Sequence, residues 1–220
     1  MLRIVYLLFR EGYYATSDNQ VLRQDLCAEA LRLGLLLADY PATDLPKTNA
    51  LVALMCFHAS RFRARTAAPV VLYDAQDEAL WDQELIGRGG YYLARAAQGP
   101  ELTPYHLEAR IAYWHCQKAD TPEKWVAVLG LYDHLLRLQY SPGAALNRTF
   151  ALYKVHGPHV ALTEARRLAL DHQHFYHLLL GELQHTLDLA AARASFQTAF
   201  ELAKTSWEKE SIRARLEALG

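Results

Sequence analysis

Residues 103–158 contain four helix openings in succession: Thr103-Pro104, Thr121-Pro122, Ser141-Pro142 and Gly157-Pro158. Proline is well tolerated at the first helical position, because the N–H group that it lacks would have no partner there. Three of the four prolines also follow Ser or Thr, which cap helix N-termini. Short connections between such helices make consecutive helices pack as antiparallel neighbours. This stretch therefore predicts an all-α protein.

A weak repeat lies in the same half of the chain. Three apolar triplets share a spacing of four and then three residues: Val128, Tyr132 and Leu135; Ala161, Ala165 and Leu168; and Ala192, Phe196 and Ala199. Thr149 and Gly181 place a small residue on the helix before each of the last two triplets. This is the packing order of tetratricopeptide (TPR) repeats, which have a period of about 34 residues.

These patterns predict a TPR-like α-α solenoid, or superhelix, of about ten helices. We expect a single domain over residues 1–220, with an irregular helical part in 1–100 and TPR-like repeats in 101–220. An irregular helical bundle is the alternative, because the repeats lack most consensus Trp and Pro positions.

The first hundred residues show helical periodicity with more interruptions. A helix is predicted over residues 18–39, opened by Asp18, and a second from Asp44 to the basic run that ends at Arg65. Residues 66–76 break the pattern, and their β-rich Val70–Tyr73 segment indicates a short non-helical insertion, either a hairpin or an extended loop.

A further helix is predicted from Asp77 to about Gln98, although it contains three glycines. Gly87, Gly89 and Gly90 each weaken a helix by about 1 kcal/mol relative to alanine. Either another helix packs very closely against this segment, or the helix is broken there.

Composition limits the classes of function. The formal charge is −1, so no overall cationic field draws the chain to nucleic acid or to an anionic membrane. Three cysteines do not form a disulfide framework, and the short apolar N-terminus followed by Arg10 does not resemble a signal peptide. We therefore expect a cytoplasmic protein that has no membrane span and does not bind DNA by itself.

The candidate chemical motifs are weak. His172, His174 and His177, with His185 beyond them, are potential metal ligands, but solvated or hydrogen-bonded histidines are the favoured interpretation. The glycine-rich segment 87–90 lacks the context of a phosphate-binding loop. We predict no enzymatic activity, no metal and no cofactor.

One basic patch comprises His58, Arg61, Arg63 and Arg65, with Phe62 among them. These side chains could face a phosphate backbone. The favoured interpretation is a helix end whose long basic side chains lie near the acidic segment 74–84.

Several segments, taken in order, resemble one bacterial family. Tyr6–Tyr13 (YLLFREGY) resembles the YLLFNEGY segment of extracytoplasmic-function (ECF) RNA polymerase sigma factors that carry a large TPR-like C-terminal extension. Further similar segments follow in the family's order: Asp25–Leu33, Ala53–Met55, His58–Arg61 with Ala64-Arg65, Gln76-Asp77, Trp81-Asp82 with Leu85-Ile86, Pro104–Ala109, Leu131–Asp133, and Ser141-Pro142 with Leu146–Arg148. Nothing in the chain resembles the promoter-reading sigma regions, so the chain is similar to the extension alone.

The resemblance implies a regulatory or protein-interaction domain of such a sigma factor. Its partners would be the sigma-factor DNA-binding core and RNA polymerase. It also points to a possible polar network of Glu11, Tyr13, Arg65, Gln76, Asp77, Trp81, Asn147 and Arg148. The same residues could instead only fix helix ends and the 66–76 insertion.

Two other functions stay open at this point. One is a stand-alone TPR-like adaptor that binds a peptide. The other is a small-molecule or metal sensor, which would use the histidines or an aromatic pocket around Trp81, Tyr91, Tyr92 and Trp114.

Overall fold

The computed structural model describes residues 1–13, 23–66 and 76–219, and these residues form α-helices and no strand. The predicted all-α fold class is confirmed. The helices are α1 Leu2–Tyr13, α2 Gln24–Asp39, α3 Pro46–Ala59, α4 Phe62–Thr66, α5 Gln83–Ala96, α6 Pro104–His115, α7 Pro122–Leu138, α8 Pro142–His156, α9 Pro158–Arg167, α10 His174–Gln184, α11 Leu189–Leu202 and α12 Ser206–Ala218.

The chain divides into two compact units, Met1–Ala119 and Asp120–Gly220. The boundary lies beyond the subdivision predicted near residue 100, because α6 packs on α3 within the first unit. Small buried residues on α6, Ala109 and Ala112, allow this contact. Whether the two units together form the single domain predicted for residues 1–220 stays a prediction.

Helix α3 is the centre of the first unit. It contacts α1, α2, α5 and α6, and its residues from Thr48 to Phe57 are all buried. The sequence explains this position, because residues 50–57 (ALVALMCF) are apolar on every face of the helix. A helix that is hydrophobic all round must be covered on all sides.

The glycines of α5 resolve the alternative left by the sequence. A Cβ atom added at Gly89 would lie 2.6 Å from the Phe57 ring, whereas one added at Gly87 or Gly90 would meet nothing within 4 Å. The helix is continuous, and α3 packs against it at Gly89. Close approach, not a broken helix, therefore accounts for Gly89.

Two helix starts in the first unit, those of α2 and α5, differ from the predicted ones, whereas α6 begins at Pro104 as predicted. Asp18 lies outside the described residues, and α2 begins at Gln24. The Asp77 side chain caps only the short 3-10 turn Glu78–Leu80, whereas Asp82 caps α5 by accepting a hydrogen bond from Leu85 N at 3.0 Å. The predicted insertion falls largely on residues 67–75, which lie outside the described residues.

Asp44 also has a different role from the predicted one. The N-cap of α3 is Leu45, and its side chain forms no capping hydrogen bond. The Asp44 carboxylate instead accepts a hydrogen bond from Asn49 Nδ2 at 2.7 Å and pairs with the Arg95 guanidinium of α5. Asp44 thus joins the start of α3 to the end of α5.

The second unit follows the sequence prediction closely. Each helix from α7 to α12 contacts the next along the chain, and α8 also contacts α10. Helix ends from α7 onward lie within three residues of the predicted ones. Thr121 and Ser141 cap α7 and α8 through their side chains as the sequence indicates. This order of contacts is that of an α-solenoid.

The predicted small-to-large packing is present in the second unit. A Cβ atom added at Gly181 of α10 would lie 2.4 Å from the ring of Phe196 on α11. Ala192 and Ala199 flank Phe196 one turn away on either side and are fully buried. Thr149 is buried on α8 and donates its hydroxyl to Ala145 O at 3.0 Å.

Within the described residues, α1 and α4 are helices beyond those predicted. The sequence of residues 2–13 indicates only a short apolar N-terminus, and the predicted helix 44–65 is interrupted after Ala59. No helix within the described ranges is long and apolar enough to cross a membrane.

Candidate functional site

Two of the predicted site residues meet at the C-terminal end of α3. The Arg65 guanidinium carbon lies 4.1 Å from the centroid of the Tyr13 ring. The same ring lies 4.7 Å from the His58 ring and 5.5 Å from the Phe62 ring. Phe9 stacks on Tyr13 at 5.7 Å. We call Phe9, Tyr13, His58, Phe62 and Arg65 the Tyr13 cluster.

Helix geometry explains how these side chains converge. Phe9 and Tyr13 are four residues apart on α1, so they lie on the same face, and both are buried. Phe62 and Arg65 are three residues apart on α4 and share a face in the same way. His58 lies in the last turn of α3, and its ring contacts the Tyr13 ring at the end of α1.

The electrostatics of the cluster are dominated by positive charge. Burial lowers the pKa of His58 well below its usual value, and Arg61, Arg65 and His115 lower it further. His58 is therefore neutral at pH 7. Its Nδ1 atom is buried and has no hydrogen-bond partner among the described residues.

Cys27 lies beside the cluster and is chemically quiet. Burial, reinforced by Asp25, raises the pKa of this thiol to about 12, against a smaller opposite effect of Arg65. Its Sγ donates to Phe9 O at 3.4 Å. A thiol with such a pKa carries almost no thiolate at neutral pH and is a poor nucleophile.

Three more predicted residues lie in the same unit with structural contacts. Lys118 Nζ donates to the backbone oxygen of Gln76. Asp77 Oδ1 accepts from Ala79 N at 2.9 Å, and Trp81 is buried. Next to Trp81, the backbone N–H of Asp82 donates to Ser60 O at 2.8 Å. These contacts tie the segment after residue 76 to the first unit, as the helix-fixing alternative requires.

The remaining predicted residues are more exposed. Glu11 lies on the outer face of α1, and Asn147 on the outer face of α8. Arg148 Nε donates to Asp133 Oδ1 at 2.6 Å, which joins α8 to α7 within the second unit. Membership of all eight residues in one polar network stays a prediction.

We expect Arg148→Ala to lower the free energy of unfolding by less than about 1 kcal/mol. The ion pair with Asp133 is partly exposed, and such pairs contribute little in water. Urea unfolding followed by circular dichroism measures the change. A loss of several kcal/mol would contradict this reading and make Arg148 a structural anchor of the second unit.

The histidines do not converge. His174 Nε2 lies 3.3 Å from Glu208 Oε1 of α12, whereas His177 Nε2 lies 2.8 Å from the backbone oxygen of Asp171. Within residues 1–13, 23–66 and 76–219, no group of three His, Cys, Asp or Glu side chains could hold a metal ion. The hydrogen-bonded interpretation fits His177, whereas His174 Nε2 is buried near the Glu208 carboxylate without forming a hydrogen bond in the described residues.

His174 gives the second unit an expected pH dependence. Burial lowers its pKa below the ordinary 6.5, against the opposing effect of Glu208. Below pH 6.5 the unfolded chain therefore binds more protons at this residue than the folded chain does. The free energy of unfolding is thus highest above pH 6.5 and decreases as the pH falls below it. Each unit of difference in pKa corresponds to about 1.4 kcal/mol.

The measurement compares thermal unfolding of the chain and of His174→Gln at pH 7.5 and pH 5.5. The variant is expected to lose less stability on acidification than the original chain. His159→Gln, at an exposed position of α9, serves as the matched control. Equal pH dependence in all three proteins would contradict the assignment.

Two aromatic pairs include residues of the predicted aromatic pocket. Tyr91 and Tyr92 lie 5.1 Å apart, and the Arg95 guanidinium lies 5.6 Å from the Tyr91 ring. Tyr91 is 59% exposed, whereas Trp81 is buried. Trp114 is 6.2 Å from Tyr113. These contacts form two aromatic pairs.

One contact between distant residues was not found from the sequence. Tyr6 OH donates to Glu108 Oε2 at 2.8 Å, and the Tyr6 and Tyr105 rings meet edge to face at 5.3 Å. Burial raises the pKa of Glu108, which the Tyr6 hydrogen bond and Arg10 partly offset. Only the apolar run in residues 4–9 signalled that α1 has a buried face.

The fold and the site together define an all-α protein whose first unit has a cation–aromatic cluster at the end of its central helix. Residues 1–97 match a family of unknown function, DUF6596. The chain is 38% identical over 224 residues to an uncharacterized protein of Rhizobium meliloti (strain 1021). That match covers 98% of this chain and 52% of the relative, so the chain spans about half the length of the curated relative. No solved structure matches the chain significantly.

Proposed function

We propose that the chain is the regulatory and protein-interaction region of an ECF-type RNA polymerase sigma factor. In this role it modulates transcription initiation through contacts with the sigma core, the polymerase or a signalling partner. The observation that carries the proposal is the ordered series of segments from Tyr6 to Arg148 that resemble the extension of such factors. The role requires no catalysis by this chain and places it in the cytoplasm, with the polymerase.

Two further observations support the proposal. The Rhizobium meliloti relative has about as much chain outside the matched region as inside it, which is room for a DNA-binding core. The second unit is a succession of paired helices, and such solenoids present extended surfaces to protein partners.

The mechanism would be a shift between two states of the sigma core. An attached region that binds the competent state more tightly than the silent state shifts the equilibrium toward the competent state. The size of the shift is set by the ratio of the two affinities. A partner or ligand that changes the affinity of the region would then change transcription without contacting DNA.

The test uses the full-length Rhizobium meliloti relative and a version without the region that matches this chain. Each protein is added to core RNA polymerase on fragmented genomic DNA, and run-off transcripts are sequenced, so that the promoter need not be known. We expect transcript yields from the same start sites to differ at least tenfold between the two versions.

The controls separate folding from regulation. Both versions are first assayed for binding to core polymerase, and residues 1–220 of this chain are then added in trans to the shortened version. Equal transcription by both versions would contradict a regulatory role. Absence of specific transcripts with either version would contradict the sigma-factor assignment itself.

A further inference from the structure

We propose that the Tyr13 cluster is a binding site for a small oxyanion, a carboxylate or a phosphate, held by the Arg65 guanidinium. Arg65 is half-buried, and no carboxylate in the described part of the chain lies within ion-pairing distance of it. The other half-buried arginines among the described residues do have such a partner: Arg95 pairs with Asp44, Arg148 with Asp133, and Arg215 with Glu182. Arg65 departs from this pattern.

The position of Arg65 suits an oxyanion. Its guanidinium carbon lies 4.1 Å from the Tyr13 ring centroid, so the aromatic ring supports the cation. Guanidinium N–H groups lie in the plane of the group and match the two oxygens of a carboxylate or phosphate. The Asp25 carboxylate, which like Arg65 influences the Cys27 thiol, is paired with Arg23 at 2.7 Å.

The surrounding groups add positive charge and a hydrogen-bonding atom. The guanidinium groups of Arg61 and Arg65 lie close enough to His58 to lower its pKa, and His115 acts in the same direction. The buried Nδ1 of His58 has no hydrogen-bond partner in the described residues. A buried polar atom left without a partner is unfavourable by about 1–3 kcal/mol, which an added ligand atom can relieve.

The position of the site gives binding a consequence. Tyr13 ends α1, His58 lies in the last turn of α3, and Arg65 lies on α4. An anion bound among them would hold the ends of three helices together. If the anion is also the signal that regulates transcription, that role rests on the proposed function. Binding of the anion does not depend on the proposed function.

The experiment titrates residues 1–220 with inorganic phosphate and with citrate, with chloride adjusted to keep the ionic strength constant. Isothermal titration calorimetry measures affinity, and thermal unfolding measures stabilisation. We expect saturable binding of at least one anion and a rise in Tm at saturation. The two titrations distinguish a phosphate site from a carboxylate site.

Two arginine substitutions locate the binding. Arg65→Gln is expected to weaken affinity at least tenfold, whereas Arg110→Gln, at an exposed position of α6, leaves it unchanged. If Arg65→Gln fails to fold, Arg65→Lys decides, because it keeps the charge but loses the planar donors and should weaken binding several-fold. No saturable binding of either anion, or equal affinity in the Arg65 variants, would overturn the proposal.

His58 supplies a second readout. Four groups face His58: Tyr13 at the end of α1, Arg61 just before α4, Arg65 on α4, and His115 on α6. A bound anion offsets these cations and raises the pKa of His58, so binding takes up a proton at His58. Phosphate and citrate also gain protons between pH 8 and 5.5, so the original chain is compared with His58→Gln. The ratio of the affinity at pH 5.5 to the affinity at pH 8 should be higher for the original chain. Because no polymerase is present, failure here leaves the transcription test unaffected.

Discussion

Phe57→Ala is expected to lower the free energy of unfolding of the chain by about 3–5 kcal/mol. Phe57 is fully buried on the central helix α3. Its ring fills the space left by Gly89 of α5 and lies 5.7 Å from the Tyr113 ring of α6. Truncation therefore removes packing from two helix contacts at once and leaves a cavity that rigid neighbours cannot close.

A double-mutant cycle isolates the contact with Gly89. Gly89→Ala alone should cost about 1–3 kcal/mol, because the new Cβ would lie 2.6 Å from the Phe57 ring. In a Phe57→Leu background, which removes the ring, that cost should largely vanish. Such coupling is expected only for residues in direct contact.

Gly87→Ala and Gly90→Ala are the matched controls on the same helix. Nothing lies within 4 Å of a Cβ atom added at either position. Each change should stabilise the chain by about 0.5–1 kcal/mol, because alanine favours the helix. Urea unfolding monitored by circular dichroism measures all these variants. Equal effects at the three glycines would show that helix propensity, not contact with Phe57, governs α5.

The second unit was predictable because its information is local. Cap-and-proline pairs such as Ser141-Pro142 define helix starts, and the structure places α8 at Pro142–His156 as predicted. The spacing around Phe196 likewise indicated which face is buried. Both signals act within one or two helical turns, so the sequence alone reveals them.

The first unit depends more on contacts between distant residues. Helix α3 is apolar all round, so no stripe tells which neighbour covers which face, and Gly89 becomes intelligible only when Phe57 is found beside it. The sequence raised close packing at the glycines as one of two alternatives. It could not identify the partner helix.

The candidate site was predictable only in part, because it too depends on contacts between distant residues. Tyr13 and Arg65 were singled out by family resemblance, and the structure brings them into contact. For His58 and Phe62, the sequence favours a basic helix end near an acidic segment. Their contacts with Tyr13 join α1, α3 and α4, and no spacing within one helix encodes that junction.

Gly181→Ala is expected to destabilise the second unit by about 1–3 kcal/mol, although alanine is normally the better helix former. The added Cβ would lie 2.4 Å from Cε1 of Phe196. That ring is 2% exposed and is enclosed by Ala192, Ala199 and Ile212, so it has little room to move. Helices α10 and α11 would have to separate.

Gly130→Ala is the matched control in the same unit, because nothing lies within 4 Å of a Cβ atom added there. It should stabilise α7 by about 0.5–1 kcal/mol. Phe196→Leu in combination with Gly181→Ala should recover part of the loss by removing the clashing ring atoms. Hydrogen exchange of amides in α10 and α11 reports the local change, since exchange follows the free energy of local opening. If Gly181→Ala left that exchange unchanged or slower, the close helix contact at Phe196 would not be what stabilises this pair.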